Sequence, residues 1–111
     1  MERKELQELF CAKIGMEYAR FHCEMLAKTA EEIYQNAYRI DCIINLYENL
    51  LELSQELEQG TLEQLVLFPD ILEYLYQLWM NEEDSYGKEL QKCIRKGIRQ
   101  IEREDREAKI A

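Results

Sequence analysis

Apolar residues return along this chain every three or four positions, the interval at which a helix brings side chains back to one face. Leu6, Leu9, Phe10, Ile14, Phe21, Met25 and Leu26 predict a first helix over Arg3–Ala27, with Gly15 weakening its middle. The chain then reads Lys28-Thr29-Ala30-Glu31-Glu32. Thr29 can accept from the third helical amide while Glu32 reaches back to the Thr29 amide, which is a capping box and the start of a second helix.

The second helix is expected to present Ile33, Ala37, Ile40, Ile44, Tyr47, Leu50, Leu51 and Leu57 as one stripe, and to end at Gly60. Thr61 with Gln64 forms a second Thr-x-x-Gln box, so the only two threonines both mark expected helix starts. Residues 62–68 read as a short helix closed by Pro69, which lacks an amide hydrogen and restricts the residue before it. From Asp70 onward, Leu72, Leu75, Trp79, Tyr86, Leu90, Ile94 and Ile101 stay in phase. That favours one long helix to about Arg103, with the rival reading that Asp84 or Ser85 caps a separate one. No strand alternation, internal repeat or low-complexity linker interrupts the pattern. The expectation is an all-α fold, a small helical bundle of three long helices plus one short helix, in a single domain over residues 1–111.

Charge changes this picture more than composition does. The net charge of −9 divides unevenly: residues 1–28 are neutral, 29–89 carry −12 and 90–111 carry +3. An acidic middle repels nucleic acid and anionic lipid. No uncharged run approaches the ~20 residues of a membrane span, and Met1 to Leu9 alternates charged and apolar residues instead of forming a signal peptide. A cytoplasmic location is therefore expected. Cys11, Cys23, Cys42 and Cys93 show no Cys-x-x-Cys spacing and read as scattered thiols of a reducing compartment.

Candidate chemistry is thin. His22 and Cys23 are neighbours and diverge by about 100° on a helix, so they cannot chelate one ion together. The polar run Asn81 to Gly87 fails as a calcium loop, because Tyr86 and Cys93 stand where acidic ligands are needed. Ser54 and Ser85 are the only serines, and neither lies on a glycine elbow. Carboxylate pairs such as Glu52 and Glu56 are ordinary on an exposed helix, and no glycine-rich phosphate loop is present. Neither an enzyme nor a resident metal or cofactor is expected.

Two features point to contacts instead. Lys92, Arg95, Lys96, Arg99, Arg103 and Arg106 form a basic band on the last helix, interrupted in sequence by Glu102, Glu104, Asp105 and Glu107. Charge pairing within or between chains accounts for it better than nucleic-acid binding. The aromatics, among them Tyr38, Tyr47, Tyr76 and Trp79, supply large amphipathic surfaces of the kind used at interfaces, with core packing as their ordinary explanation.

The pieces Glu31-Glu32-Ile33, Ala37-Tyr38, Asp41-x-Ile43 and Pro69-Asp70-x-Leu72-x-x-x-Tyr76-x-x-Trp79 cover roughly residues 21–90. In order and spacing they resemble a family of short all-helical bacterial proteins or domains of unknown function, associated with mobile elements of anaerobic gut bacteria. That resemblance brings no activity with it. It does imply a setting in which the acidic middle segment imitates a nucleic-acid backbone and occupies a DNA-binding protein. The leading expectation is a non-enzymatic helical protein–protein interaction module acting as a homodimer, with the second and last helices as contact faces. Tyr38, Tyr47, Tyr76, Trp79, Arg95, Arg99 and Arg103 are its candidate interaction residues. The alternatives are an acidic mimic or regulator that binds a basic protein, and nucleic-acid binding through the basic C-terminal helix.

Overall fold

The computed structural model describes residues 1–81 and 90–110, the side chains of 108–110 excepted. Among these residues the chain forms six helices and no strand: α1 Arg3–Leu26, α2 Ala30–Gln35, α3 Ala37–Leu53, α4 Gln59–Leu67, α5 Ile71–Met80 and α6 Leu90–Ile110. The all-α expectation is met. The division into three long helices and a short one is not, and each extra break has a local cause.

The capping box at Thr29 forms as its residues require: Thr29 Oγ1 accepts from the Glu32 amide at 3.2 Å, and Glu32 Oε1 accepts from the Thr29 amide at 3.0 Å. The hydrogen bonds hold the Glu32 carboxyl below its ordinary value. One turn later Asn36 breaks the expected second helix. Its side-chain amide donates to the Glu32 carbonyl at 2.8 Å and its backbone leaves helical geometry at φ −97°, ψ 11°. An asparagine that can satisfy the preceding carbonyls locally competes with helix continuation.

The second helix also stops short of Gly60. Ser54 is fully buried and its hydroxyl donates back to the Leu51 carbonyl at 2.7 Å. Arg3, reaching across from α1, gathers the carbonyls of Gln55 at 2.6 Å, Leu57 at 2.9 Å and Ser54 at 3.3 Å. A guanidinium thus satisfies carbonyls just beyond α3 that a continuing helix would otherwise use. Gly60 lies in the first turn of α4 rather than closing a helix, and Thr61 caps nothing: its hydroxyl donates to Glu102 of α6 at 3.4 Å.

The favoured single helix over 70–103 is also overturned. Tyr74 of α5 donates to Gln100 of α6 at 3.2 Å, and a Cβ placed on Gly97 would lie 2.5 Å from Leu75 Cδ2. On one straight helix Leu75 and Gly97 would stand about 33 Å apart. α6 therefore folds back along α5. The proposed caps Asp84 and Ser85 lie outside the described residues, as does Tyr86.

α5 is short and central, with Ile71, Leu72, Leu75 and Tyr76 buried against α1, α3 and α6. α1 lies along α4, α3 and α5, and α6 closes the other side over α5, α4 and α3. One core joins Leu6, Phe10, Ile14 and Phe21 of α1 to Ile43, Leu46 and Leu50 of α3, Leu62 and Leu65 of α4, and Ile94, Ile98 and Ile101 of α6. On α3 the buried residues are Cys42, Ile43, Leu46, Leu50 and Leu53, about a third of a turn from the expected stripe. Ile40, Tyr47 and Leu51 pack at the core's edge and Ala37 is exposed.

The start of α5 is held from another helix. Asp70 occupies the left-handed region at φ 50°, ψ 58° and its side chain makes no capping bond. Its carboxylate pairs with Arg20 at 3.1 Å instead. The buried Glu17 of α1 supplies the cap, accepting from the Leu72 amide at 3.0 Å while its other oxygen meets Lys13. A carboxylate at a helix N-terminus satisfies an orphan amide and complements the helix dipole.

Candidate functional site

The expected aromatic residues do not gather into one surface. Tyr76 is core, and its hydroxyl is pushed above the ordinary tyrosine value by burial. Tyr47 is half-buried and stacks on Tyr18 with ring centroids 4.9 Å apart. Tyr38 and Trp79 tie α3 to α5, the indole N–H donating to the Tyr38 hydroxyl at 2.9 Å. Tyr38 remains half-exposed and Tyr34 on α2 more so. Beside them Arg39 lies between the rings of Phe21 and Tyr76, at 5.6 and 5.3 Å, and binds Glu73 at 2.6 Å. Tyr47, Tyr76 and Trp79 thus have packing and clamping roles, while Tyr38 keeps part of its ring in solvent.

Ser54 bonds within the core, and burial raises the Cys42 thiol above its ordinary value, which disfavours the reactive thiolate. Among the described residues no group of three or more His, Cys, Asp or Glu side chains could hold a metal, and no disulfide joins the cysteines. No helix among them is long and apolar enough to cross a membrane. A small notch of about 110 Å³ at the start of α5 is lined by Glu17, Arg20, Glu24, Arg39, Asp70 and Glu73; Arg20 pairs with Asp70, Arg39 with Glu73 and Glu17 with the Leu72 amide, while the buried Arg39 Nε meets no acceptor among the described residues.

The candidate interaction residues Arg95, Arg99 and Arg103 of the basic band are exposed on α6. Arg95 pairs with Glu56 at 3.3 Å, and Arg99 lies beside the same acidic edge near Glu58. Arg103 follows one turn on. At about 100° per residue, Lys92, Arg95, Lys96, Arg99, Arg103 and Arg106 all fall in an arc of about 100° facing away from the apolar stripe of Ile94, Ile98 and Ile101. Two of the acids that interrupt this band in sequence do not interrupt it in space. Glu102 turns toward Thr61, and Asp105 accepts from the Gln64 side chain at 2.8 Å. On α3 the acids Asp41, Glu48 and Glu52 share an exposed face.

The feature that sequence reasoning missed lies on α1. Its inner face buries Leu6, Phe10, Ile14, Glu17, Phe21 and Met25, in steps of four, four, three, four and four. Its outer face carries Leu9, Ala12, Met16, Ala19, Cys23 and Leu26, in steps of three and four alternately. Leu9 is 43% exposed, Met16 74% and Leu26 66%, and Ala12, Ala19 and Cys23 are exposed as well. Leu9 and Leu26, which the sequence places in one series with Leu6, Phe10 and Ile14, stand on the opposite face of the helix. Next to this stripe a groove of about 680 Å³ runs between Leu9, Ala12 and Met16 on one side and Val66 and Pro69 on the other, with Lys13 and Arg20 at its margin. The signal was in the sequence as a second apolar phase on one helix, hidden because Leu9 and Leu26 join the series of the buried row and Met16 joins none.

Compared with known proteins, the chain matches no family model, no curated protein and no solved structure.

Proposed function

We propose that this chain is a non-enzymatic helical protein–protein interaction module that acts as a homodimer, with the outer face of α1 as its contact surface. The observation that carries the reading is the unburied stripe from Leu9 to Leu26 on α1, the longest helix among the described residues. A contiguous apolar strip of this kind marks an interaction surface more often than an isolated exposed leucine does. Of the second and last helices, expected to supply the contacts, Leu50, Leu72, Leu75, Ile94 and Ile101 belong to the core, while Ile40, Tyr47 and Leu51 lie at its edge. Light scattering from micromolar to millimolar concentration tests the proposal. A dimer is expected, and Met16→Glu is expected to return the protein to a monomer with its helix content unchanged. A monomer throughout that range overturns the proposal.

A second reading rests on α6. Glu102 and Asp105 are turned toward α4 and away from the exposed bases of α6, and a basic face of this kind suits the phosphates of a nucleic acid. The reading expects an electrophoretic shift of duplex DNA or RNA at low salt that weakens steeply as salt rises, and less so in Arg99→Ala. No shift at low salt removes it.

A further inference from the structure

Resting on the proposed homodimer, we infer that α1 of one copy packs antiparallel against α1 of a second copy, with Met16 opposite Ala19, Ala12 opposite Cys23 and Leu9 opposite Leu26 of that copy. The inference starts from the two faces of one helix. The inner face follows the longer repeat of a helix wrapped into a globular core. The outer face repeats alternately after three and four residues, the ~3.5-residue period at which two helices keep one seam in contact over several turns. A flat apolar partner or a small ligand has no need of that period. A helix carrying the same period does, and α1 of a second copy is such a helix.

Side-chain size selects the direction. Parallel pairing would set Met16 against Met16 between layers of Ala12 on Ala12 and Ala19 on Ala19, so a wide layer would sit between narrow ones and leave voids. Antiparallel pairing sets a large residue on a small one at the centre, Met16 on Ala19, then two small ones, Ala12 on Cys23. Leu9 and Leu26 close the two ends. Alanines seven residues apart, Ala12 and Ala19, let the backbones approach closely.

Charge selects the same direction. Glu5 is exposed and continues the seam one step before Leu9. Parallel pairing would place it against its own copy, whereas antiparallel pairing carries it past the end of the seam. Of the two edges that would face themselves in the antiparallel pair, one carries Glu8 and His22, and the other holds Lys13 and Arg20, each already paired with an acid of its own chain, Glu17 and Asp70. The latter edge therefore approaches its copy without unbalanced charge. A seam from Leu9 to Leu26 is about 26 Å long, which places the interface at the small end of specific contacts and the dimer in a weak, concentration-dependent range.

The test uses the full chain carrying Cys11→Ser and Ala12→Cys, with Cys23 retained. Far-UV circular dichroism first checks that the variant keeps the helix content of the parent. The dimer is then treated with oxidised glutathione, which takes two electrons from a pair of facing thiols and leaves as two reduced glutathiones while the disulfide forms. In the antiparallel register the introduced thiol faces Cys23 of the second copy, so peptide mapping is expected to find the 12-to-23 bond between copies. The parent, whose two Cys23 residues would be about 16 Å apart along the seam, is expected to form no covalent dimer, since disulfide Cα atoms lie within about 7 Å. Bonds of 12 to 12 and 23 to 23 would overturn the inference in favour of a parallel pair. A dimer by light scattering that forms no bond in either pattern would place the contact elsewhere and overturn it too. A monomer at millimolar concentration would instead overturn the homodimer reading on which it rests.

Discussion

α1 and α6 are the two longest helices among the described residues, they flank the same core, and they treat solvent in opposite ways. α6 gives its core side to Ile94, Ile98 and Ile101 and its outer side to arginine and lysine. α1 gives its core side to Leu6, Phe10, Ile14 and Phe21 and keeps a second apolar row outside. A helix that is apolar on opposite faces is buried on both or is waiting for something. The comparison therefore separates residues that hold the fold from residues that the fold leaves free, and substitutions on the two faces should divide accordingly.

The largest effect is expected on the inner face of α1. Phe10 is fully buried between helices, and Phe10→Ala should cost about 3–5 kcal/mol, from lost transfer energy and the cavity left behind. Urea denaturation measures it. Met16→Ala, six residues along the same helix but on the outer face, should stay within about 0.5 kcal/mol at concentrations where the chain is monomeric. Equal losses at the two positions would mean that the outer stripe belongs to the core after all.

Glu17 comes next, the one charged residue on that inner face. Glu17→Ala removes the acceptor for the Leu72 amide and leaves Lys13 without its acid, a loss of about 1.5–3 kcal/mol for a charged hydrogen bond at a helix start. Glu17→Gln keeps an acceptor and should recover part of it. If Ala and Gln are equally stable, the capping role assigned to Glu17 is wrong.

How much of this was legible follows from what each signal depends on. The Thr29 box was readable because both of its hydrogen bonds lie within four residues. The break at Asn36 depends on a single local competition, and the end of α3 depends on Arg3, more than fifty residues away in sequence, reaching its carbonyls. No window of sequence contains both partners. The same holds for Glu17 and the start of α5, where the acceptor for the Leu72 amide comes from α1. The basic band was seen, and its interruption by Glu102 and Asp105 was not a surface property, because those acids answer Thr61 and Gln64 on α4. The outer row of α1 could have been read from the alternation of three and four, yet only burial shows which of two apolar rows the core takes.

Smaller effects test how tightly α6 is seated. Gly97 faces α5, and the methyl of Gly97→Ala would press on Leu75, which is fully buried and has little room to turn. Overpacking of about 1–3 kcal/mol should outweigh the ~1 kcal/mol that alanine brings to a helix, so thermal stability is expected to fall. Gly60→Ala in the first turn of α4 meets no atom within 4 Å and should raise stability by about 0.5–1 kcal/mol. A gain at both positions would show that α6 stands further from α5 than described.

The smallest effect lies on the outer face of α6. Arg95 and Glu56 meet at 3.3 Å with side chains 52% and 69% exposed, where solvent and salt screen most of the attraction. Glu56→Gln should therefore change stability by less than about 0.5 kcal/mol, with no difference left in 0.5 M salt. The value of the experiment is in the sign of a second measurement. Removing this acid frees Arg95 and enlarges the basic face, so binding of DNA at low salt should strengthen in Glu56→Gln if α6 meets phosphates, and should not move if the face is there only to be solvated. The first outcome would give α6 a waiting surface like that of α1; the second would leave the outer stripe of α1 as the surface through which this molecule meets another.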